Sequence, residues 1–202
     1  MWQAPEISWK GSQAGATVNI FVLASDPDEA ASYHNDKHVV KMILESGQMM
    51  CSAHWTSWRS SLGIGTDVKR RDAISRLLAE VPAVSLPPWK MTHVGHPCTR
   101  WTQRSRENYL WHSRLGLALC AEYTRRYKKV HKAERVHEWL RENLPPTFEG
   151  EAGLTPFAVA MPDDCKVSDD PVVCYRTYYM THKRKIASWK SETPPWWNPE
   201  LS

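Results

Sequence analysis

The densest group of chemistry-bearing side chains in this chain is Tyr33-His34-Asn35-Asp36-Lys37-His38-Val39-Val40-Lys41-Met42-Ile43-Leu44-Glu45. Residues three or four apart share a helix face. His34, His38, Lys41 and Glu45 therefore form one stripe of imidazole, amine and carboxylate, while Val40, Ile43, Leu44 and Gly47 turn toward the core. Such groups move protons near neutral pH. In the catalytic reading His38 is the general acid/base, with Asp36 or Glu45 as partner and His34 alongside. His38→Ala then abolishes turnover and leaves the helical circular dichroism unchanged. A second reading places a divalent metal on His34 and His38, at the spacing zinc helices use, with Glu45 or a distant residue completing the site. An ordinary helix start, with Asp36 near its positive end and a Lys41–Glu45 surface pair, accounts for the same residues without a ligand.

Two further clusters could hold an anionic or planar ligand. His96-Pro97-Cys98-Thr99-Arg100-Trp101 leads into a helical pattern carrying Arg104 and Asn108. Helix N-terminal amides beside Arg100 and Arg104 favour a phosphate, and Trp101 and Asn108 could reach a base or sugar. A solvated basic face over a buried Trp is the alternative. Near the C-terminus, Tyr175, Tyr179, His182 and Lys183 share one helix face, and Tyr178 and Ile186 can point inward. Basic and aromatic residues interleaved in this way suit nucleic-acid contacts. Lys37, Lys41, Arg100 and Lys183 are the candidate phosphate binders, His96 and Tyr179 flank them, and the run Arg125 to Lys132 is either solvated surface or a source of phosphate contacts. Eleven tryptophans, several beside Arg or Lys, offer stacking surfaces or cap core edges.

The elements that must position these groups are mostly helices. Thr17 to Leu23 is rich in β-branched residues and reads as one short strand. Asp26-Pro27-Asp28-Glu29 is a helix start with a cap, a proline at the first position and a capping-box glutamate. Asn35-Asp36 offers a second cap, so the segment is either one helix from Pro27 or a short one to about His34 and a long one to about Trp58. Asp67 to Glu80 is amphipathic, with Val68, Ile74, Leu77 and Leu78 inward. The proline-rich stretch Pro82 to Pro97, which holds His93 and His96, is a loop. Thr99 to about Tyr127 is the longest helical pattern, with Trp101, Tyr109, Leu110, Leu117 and Cys120 or Ala121 as core positions. His131 to Asn143 is a helix, Thr147 to Asp169 is mostly loop, and Asp170-Pro171 starts a last helix to about Ser188. The fold class is mainly α: a bundle of about five to six helices with one short N-terminal strand. The expected organisation is an extension over 1–17, a single helical domain over 18–190, and a Pro/Trp-rich tail over 191–202.

Composition narrows the function classes. Hydrophobic residues at 42% and charged residues at 24% are ordinary globular usage and argue against a disordered chain. Cys51, Cys98, Cys120, Cys165 and Cys174 are odd in number and contain no C-x-x-C pair, which excludes a disulfide framework and a zinc knuckle and fits a reducing compartment. Residues 1–16 lack the apolar stretch of a secretory signal. No span approaches the roughly 20 apolar residues a membrane helix needs, so a cytoplasmic location without membrane association is expected. The net charge of +4 is compatible with nucleic acid only where it is concentrated. There is no phosphate-binding G-x-x-x-x-G-K-[ST] and no G-x-G-x-x-G after the strand, which argues against a P-loop kinase and a dinucleotide fold. Cys98 lacks the context of a thiol nucleophile. Cofactor use stays open, with a divalent metal as the one candidate, and the oligomeric state is not written in these patterns.

From Val18 to Trp197 the chain resembles a family of small tailed-bacteriophage proteins. The carrying residues are Asn19 to Leu23, Asp26-Pro27, the run His34-x-Asp36-Lys37-His38-Val39-Val40-Lys41-Met42-Ile43-Leu44-Glu45, His96-Pro97, Glu122-Tyr123-Thr124, Leu154-Thr155-Pro156-Phe157, Ala160-Met161-Pro162 and Tyr175-Arg176 with Tyr178-Tyr179. The resemblance implies a phage setting in a host cytoplasm and names no chemistry. Together with the residues above it leads to the expectation of an enzyme acting on DNA or a nucleotide, by base modification or group transfer, with His38, Asp36 and Glu45 as its acid-base site. A metal-dependent nuclease or phosphodiesterase, and a non-enzymatic nucleic-acid or host-protein binding module, are the alternatives.

Overall fold

The computed structural model describes residues 18–150 and 152–198. The expected extension over 1–17 lies outside them. Seven α-helices run in order: α1 Pro27–Tyr33, α2 Asp36–Ser61, α3 Arg70–Glu80, α4 Pro97–Arg104, α5 Arg106–Tyr127, α6 Glu134–Glu142 and α7 Pro171–His182. Short 3-10 turns occupy Ala83–Ser85, Asp163–Cys165 and Arg184–Ile186. The fold is mainly α, and none of the described helices is long and apolar enough to cross a membrane.

Local chemistry explains most helix starts. The Asp26 carboxylate accepts from the backbone N–H groups of Asp28 at 2.9 Å and Glu29 at 3.0 Å, with Pro27 at the first helical position. Glu29 does not close a capping box; its carboxylate accepts from the Tyr33 hydroxyl at 2.7 Å. Of the two arrangements open for the next segment, the two-helix one is present. His34 and Asn35 are extended, and the Asn35 side chain accepts from His38 N–H at 2.9 Å to start α2. Asp170 caps α7 through Val172 N–H at 2.8 Å, again ahead of a proline.

Other expectations need correction. The long pattern from Thr99 is two helices, because Ser105 is extended and its hydroxyl caps α5 at Asn108 N–H. The carbonyls left open at the end of α4 are taken by a distant loop, with Glu149 N–H on Gln103 and Gly150 N–H on Arg104. α3 turns only Ala73 and Leu77 fully inward, and Leu78 is 60% exposed. Val40 and Leu110 also lie at the surface. α7 presents Tyr175 and Tyr179 to the core, whereas Tyr178 is half-buried. Spacing established which tyrosines share a face but not which face is buried.

α5 is the hub, packing on α1, α2, α4 and α6, and α2 also meets α3, α4 and α6. Thr17 of the expected strand lies outside the described residues. Val18 to Ala24 runs buried through the main core, and side chains rather than a sheet ladder satisfy much of its backbone. Asn19 N–H donates to Glu45 at 3.2 Å, and the Leu23 carbonyl accepts from Arg176 at 2.9 Å. Trp196 of the tail packs edge-on against Tyr33 and Tyr179.

The helix interfaces contain buried imidazoles held neutral by desolvation. The Thr102 hydroxyl spends its proton on the Cys98 carbonyl, so it accepts from His112 Nδ1 at 2.8 Å; His112 Nε2 then accepts from Ser46. His137 Nε2 donates to the Ile43 carbonyl at 2.8 Å and leaves a bare Nδ1 facing Gly116 on α5. A methyl group at position 116 would collide with that ring. Gly116→Ala is therefore expected to destabilise the fold by about 1–3 kcal/mol despite the better helix propensity of alanine, read as a lower urea midpoint. An unchanged or higher midpoint would contradict this packing.

The basic run on α5 is not all solvated. The Arg126 side chain is completely buried and donates to Asp36, Glu122 and the carbonyls of Ser32 and His34 at 2.8–3.1 Å. Arg126→Met should cost about 3–5 kcal/mol, since it leaves Asp36 and two carbonyls without their donor. Arg126→Lys should recover only part of this, because an ammonium cannot reproduce the planar fork. Equal urea midpoints for wild type and Arg126→Met would disprove the anchor.

Candidate active site

The junction between α1 and α2 splits the expected stripe. His34 caps the end of α1 and does not continue the α2 face; its Nδ1 donates to the Ala30 carbonyl at 2.7 Å, and its Nε2 is buried without a partner. Burial pushes its pKa down to about 4. His38 is also in the interior, 5% exposed, stacked on Phe21 at 4.5 Å between ring centroids. Its Nδ1 pairs with the Tyr179 hydroxyl at 2.5 Å, not with Asp36 or Glu45. Burial, then the nearby His34, Lys183 and Lys41, push the His38 pKa down to about 2, so the ring is neutral at physiological pH. Asp36 faces away from it. One Asp36 oxygen accepts from Arg126 at 3.1 Å and from Lys190 N–H at 3.0 Å, which ties the C-terminal segment to α5.

The pair Lys41 and Glu45 is brought together as the sequence spacing implied. Lys41 Nζ lies 2.9 Å from one Glu45 oxygen, and the other oxygen accepts from Asn19 N–H at 3.2 Å. The carboxylate is 8% exposed, while Lys41 is 49% exposed and reaches to solvent. Burial raises the Glu45 pKa; Lys41, Asn19 N–H and His93 oppose that rise. Asn19, which the sequence reading passed over, is the knot of this region. Its side-chain oxygen accepts from Ile20 N–H, the Cys98 thiol and the Tyr175 hydroxyl, and its amide donates to the Ala160 carbonyl at 2.8 Å. His93, which the sequence placed with His96 in the Pro82 to Pro97 loop, is in a left-handed conformation at φ 51°.

The described residues also enclose two cavities. One of about 710 Å³ is lined by Leu44, Trp89, Val130, His131, Lys132 and Val136. Lys41 and Glu45 are not among its lining residues. The Trp89 ring rests on α2 at Gly47, where any Cβ would strike it. The missing side chain thus sets a fixed aromatic wall. The second, of about 550 Å³, is lined by Pro97, Arg100, Trp101, Arg104, Phe157 and Ala158, and begins one residue beyond His96. His96 itself caps α4, with Nδ1 accepting from Cys98 N–H at 3.2 Å.

The remaining candidates divide clearly. Arg100 and Trp101 share the second cavity, whereas Asn108 is fully buried, with its amide on the Trp101 carbonyl and Thr155 and its oxygen on Thr155 N–H. Tyr179 is core, occupied by His38. Lys183 lies 4.6 Å from the Tyr178 ring centroid and 5.9 Å from that of Phe21, on the side of His38, and Lys37 is exposed. His34 and His38 do not form a metal site: both Nδ1 atoms are engaged, and no third His, Cys or carboxylate joins them among the described residues. No family model, curated protein or solved structure matches the chain.

Proposed function

We propose that this chain is an enzyme acting on DNA or a nucleotide in a tailed-phage setting, by base modification or group transfer, with Glu45 as its proton-transfer group. The observation that carries the reading is the Glu45 carboxylate: nearly buried, raised in pKa by desolvation, and paired with the half-exposed Lys41. A carboxylate whose pKa is raised by burial can take a proton from an attacking group and return it to a leaving one. Lys41 and Lys132 supply cations for phosphate, Trp89 a face for a base, and Arg100 with Arg104 a second place for the backbone. His38, neutral and buried behind Phe21, serves as the anchor of Tyr179 rather than as the acid-base group.

The test is to incubate the purified chain with double-stranded DNA, single-stranded DNA and the deoxynucleotides, digest to nucleosides, and weigh the products by mass spectrometry. A new nucleoside mass, or a released base or phosphate, that is absent with Glu45→Gln supports the reading. Binding with a steep salt dependence but no product, and indifference to Glu45→Gln, would replace it with the non-enzymatic binding module. Activity abolished by chelation but not by Glu45→Gln would replace it with the metal-dependent nuclease.

A further inference from the structure

Away from Glu45, the 3-10 turn Asp163–Cys165 meets the C-terminal end of α7. There the Asp164 carboxylate, the Cys165 thiol and the His182 imidazole bring one ligand atom each to within 4.8 Å of one another. Asp164 Oδ2 and His182 Nε2 are 2.8 Å apart, and Cys165 Sγ lies 3.7 Å from Asp164 Oδ1 and 3.6 Å from the Thr181 hydroxyl. Asp164 and His182 are exposed, while Cys165 is completely buried.

We propose that these three side chains form a binding site for a zinc-class divalent cation, ligated from the protein side by sulfur and from the solvent side by carboxylate and imidazole. Tetrahedral zinc bonds of about 2.0–2.3 Å place ligand atoms about 3.3–3.6 Å apart. The Cys165–Asp164 separation already approaches that value, the Asp164–His182 hydrogen bond must open by roughly half an ångström, and the ligating His182 nitrogen stands within 4.8 Å of the Cys165 sulfur. Asp164 and His182 are at the surface and can adjust. Thiolate with imidazole selects zinc and its neighbours over magnesium or calcium, which prefer all-oxygen shells. Binding releases the thiol proton of Cys165 into solvent, and the His182 ring carries its proton on Nδ1 so that Nε2 can ligate, leaving a fourth position for water. With no residue of the Glu45 region among its ligands, the site is a clamp: it fastens the loop before α7 to the end of that helix, immediately ahead of Lys183.

The experiment uses the full chain, stripped with chelator and titrated with Co²⁺ and then with Zn²⁺. One Co²⁺ per chain is expected, with a thiolate-to-cobalt charge-transfer band that Zn²⁺ abolishes. Cys165→Ser should remove the band. His182→Gln and Asp164→Asn, both at exposed positions that leave folding intact, should each weaken Co²⁺ binding about 100-fold or more, as loss of a ligand must exceed the 10–100-fold cost of losing a group behind one. Zn²⁺ should raise the melting temperature of the wild type and not of the three variants. Absence of the band in the wild type, or Co²⁺ affinity in His182→Gln and Asp164→Asn equal to wild type, would overturn the site.

Discussion

On acidification the chain is expected to begin losing its fold as pH falls below about 6.5, above the range in which ordinary carboxylates titrate. Five histidines are buried and held neutral, with pKa values pushed down to about 4 for His34 and His137, about 3 for His54 and His112, and about 2 for His38. Desolvation is the largest cause in each case. In the unfolded chain each titrates near 6.5. A depressed folded-state value means the stability is intact above about pH 6.5 and is lost as pH falls, because the unfolded chain takes up protons that the folded one excludes. Each excluded proton is worth about 1.4 kcal/mol per pH unit. Several acting together can exceed the ordinary 5–15 kcal/mol of a domain. Urea midpoints measured from pH 7.5 to 4.5 should fall steeply below 6.5, with the slope reporting uptake of several protons. A profile flat to pH 5 would show that these imidazoles are not desolvated as described. His112→Gln should reduce the slope by about one proton, whatever it does to stability at neutral pH.

Glu45→Gln is expected to lower turnover by about 10²–10⁴-fold, the usual worth of a positioned acid-base group. The exchange is nearly isosteric. The new amide oxygen can keep the bond from Asn19 N–H, and Lys41, half exposed, can turn to solvent. Folding should therefore survive, as unchanged circular dichroism and urea midpoint would show. His38→Ala is a poorer test, because it empties a site stacked on Phe21 and bonded to Tyr179 and so confounds rate with stability. Lys41→Met gives a second readout. Lys41 lowers the Glu45 pKa, so removing it raises that pKa and moves the acid limb of the pH–rate profile upward. Wild-type turnover in Glu45→Gln, or an unmoved acid limb in Lys41→Met, would remove Glu45 from the mechanism.

The helix starts were legible because their causes are local. Asp26-Pro27, Asn35-Asp36 and Asp170-Pro171 each supply an acceptor for the first free amides within three residues, and all three open helices. Ser105 could not be recognised in the same way. A serine inside an apolar pattern also reads as helix, and the break there is supported by a loop more than forty residues on, whose amides cover the end of α4. Lys41–Glu45 was legible for a similar reason, since an i, i+4 pair needs only one helix to meet.

Sequence alone thus determined the mainly helical class, the starts of α1, α2 and α7 and the Lys41–Glu45 pair, all consequences of interactions a few residues long. Only the tertiary structure decided what each polar group would face: Tyr179 for His38, Arg126 for Asp36, Asn19 for Glu45. Those partners lie between 26 and 141 residues away along the chain. A carboxylate or imidazole takes its protonation state from burial and from the charges packed around it, and chain spacing carries neither.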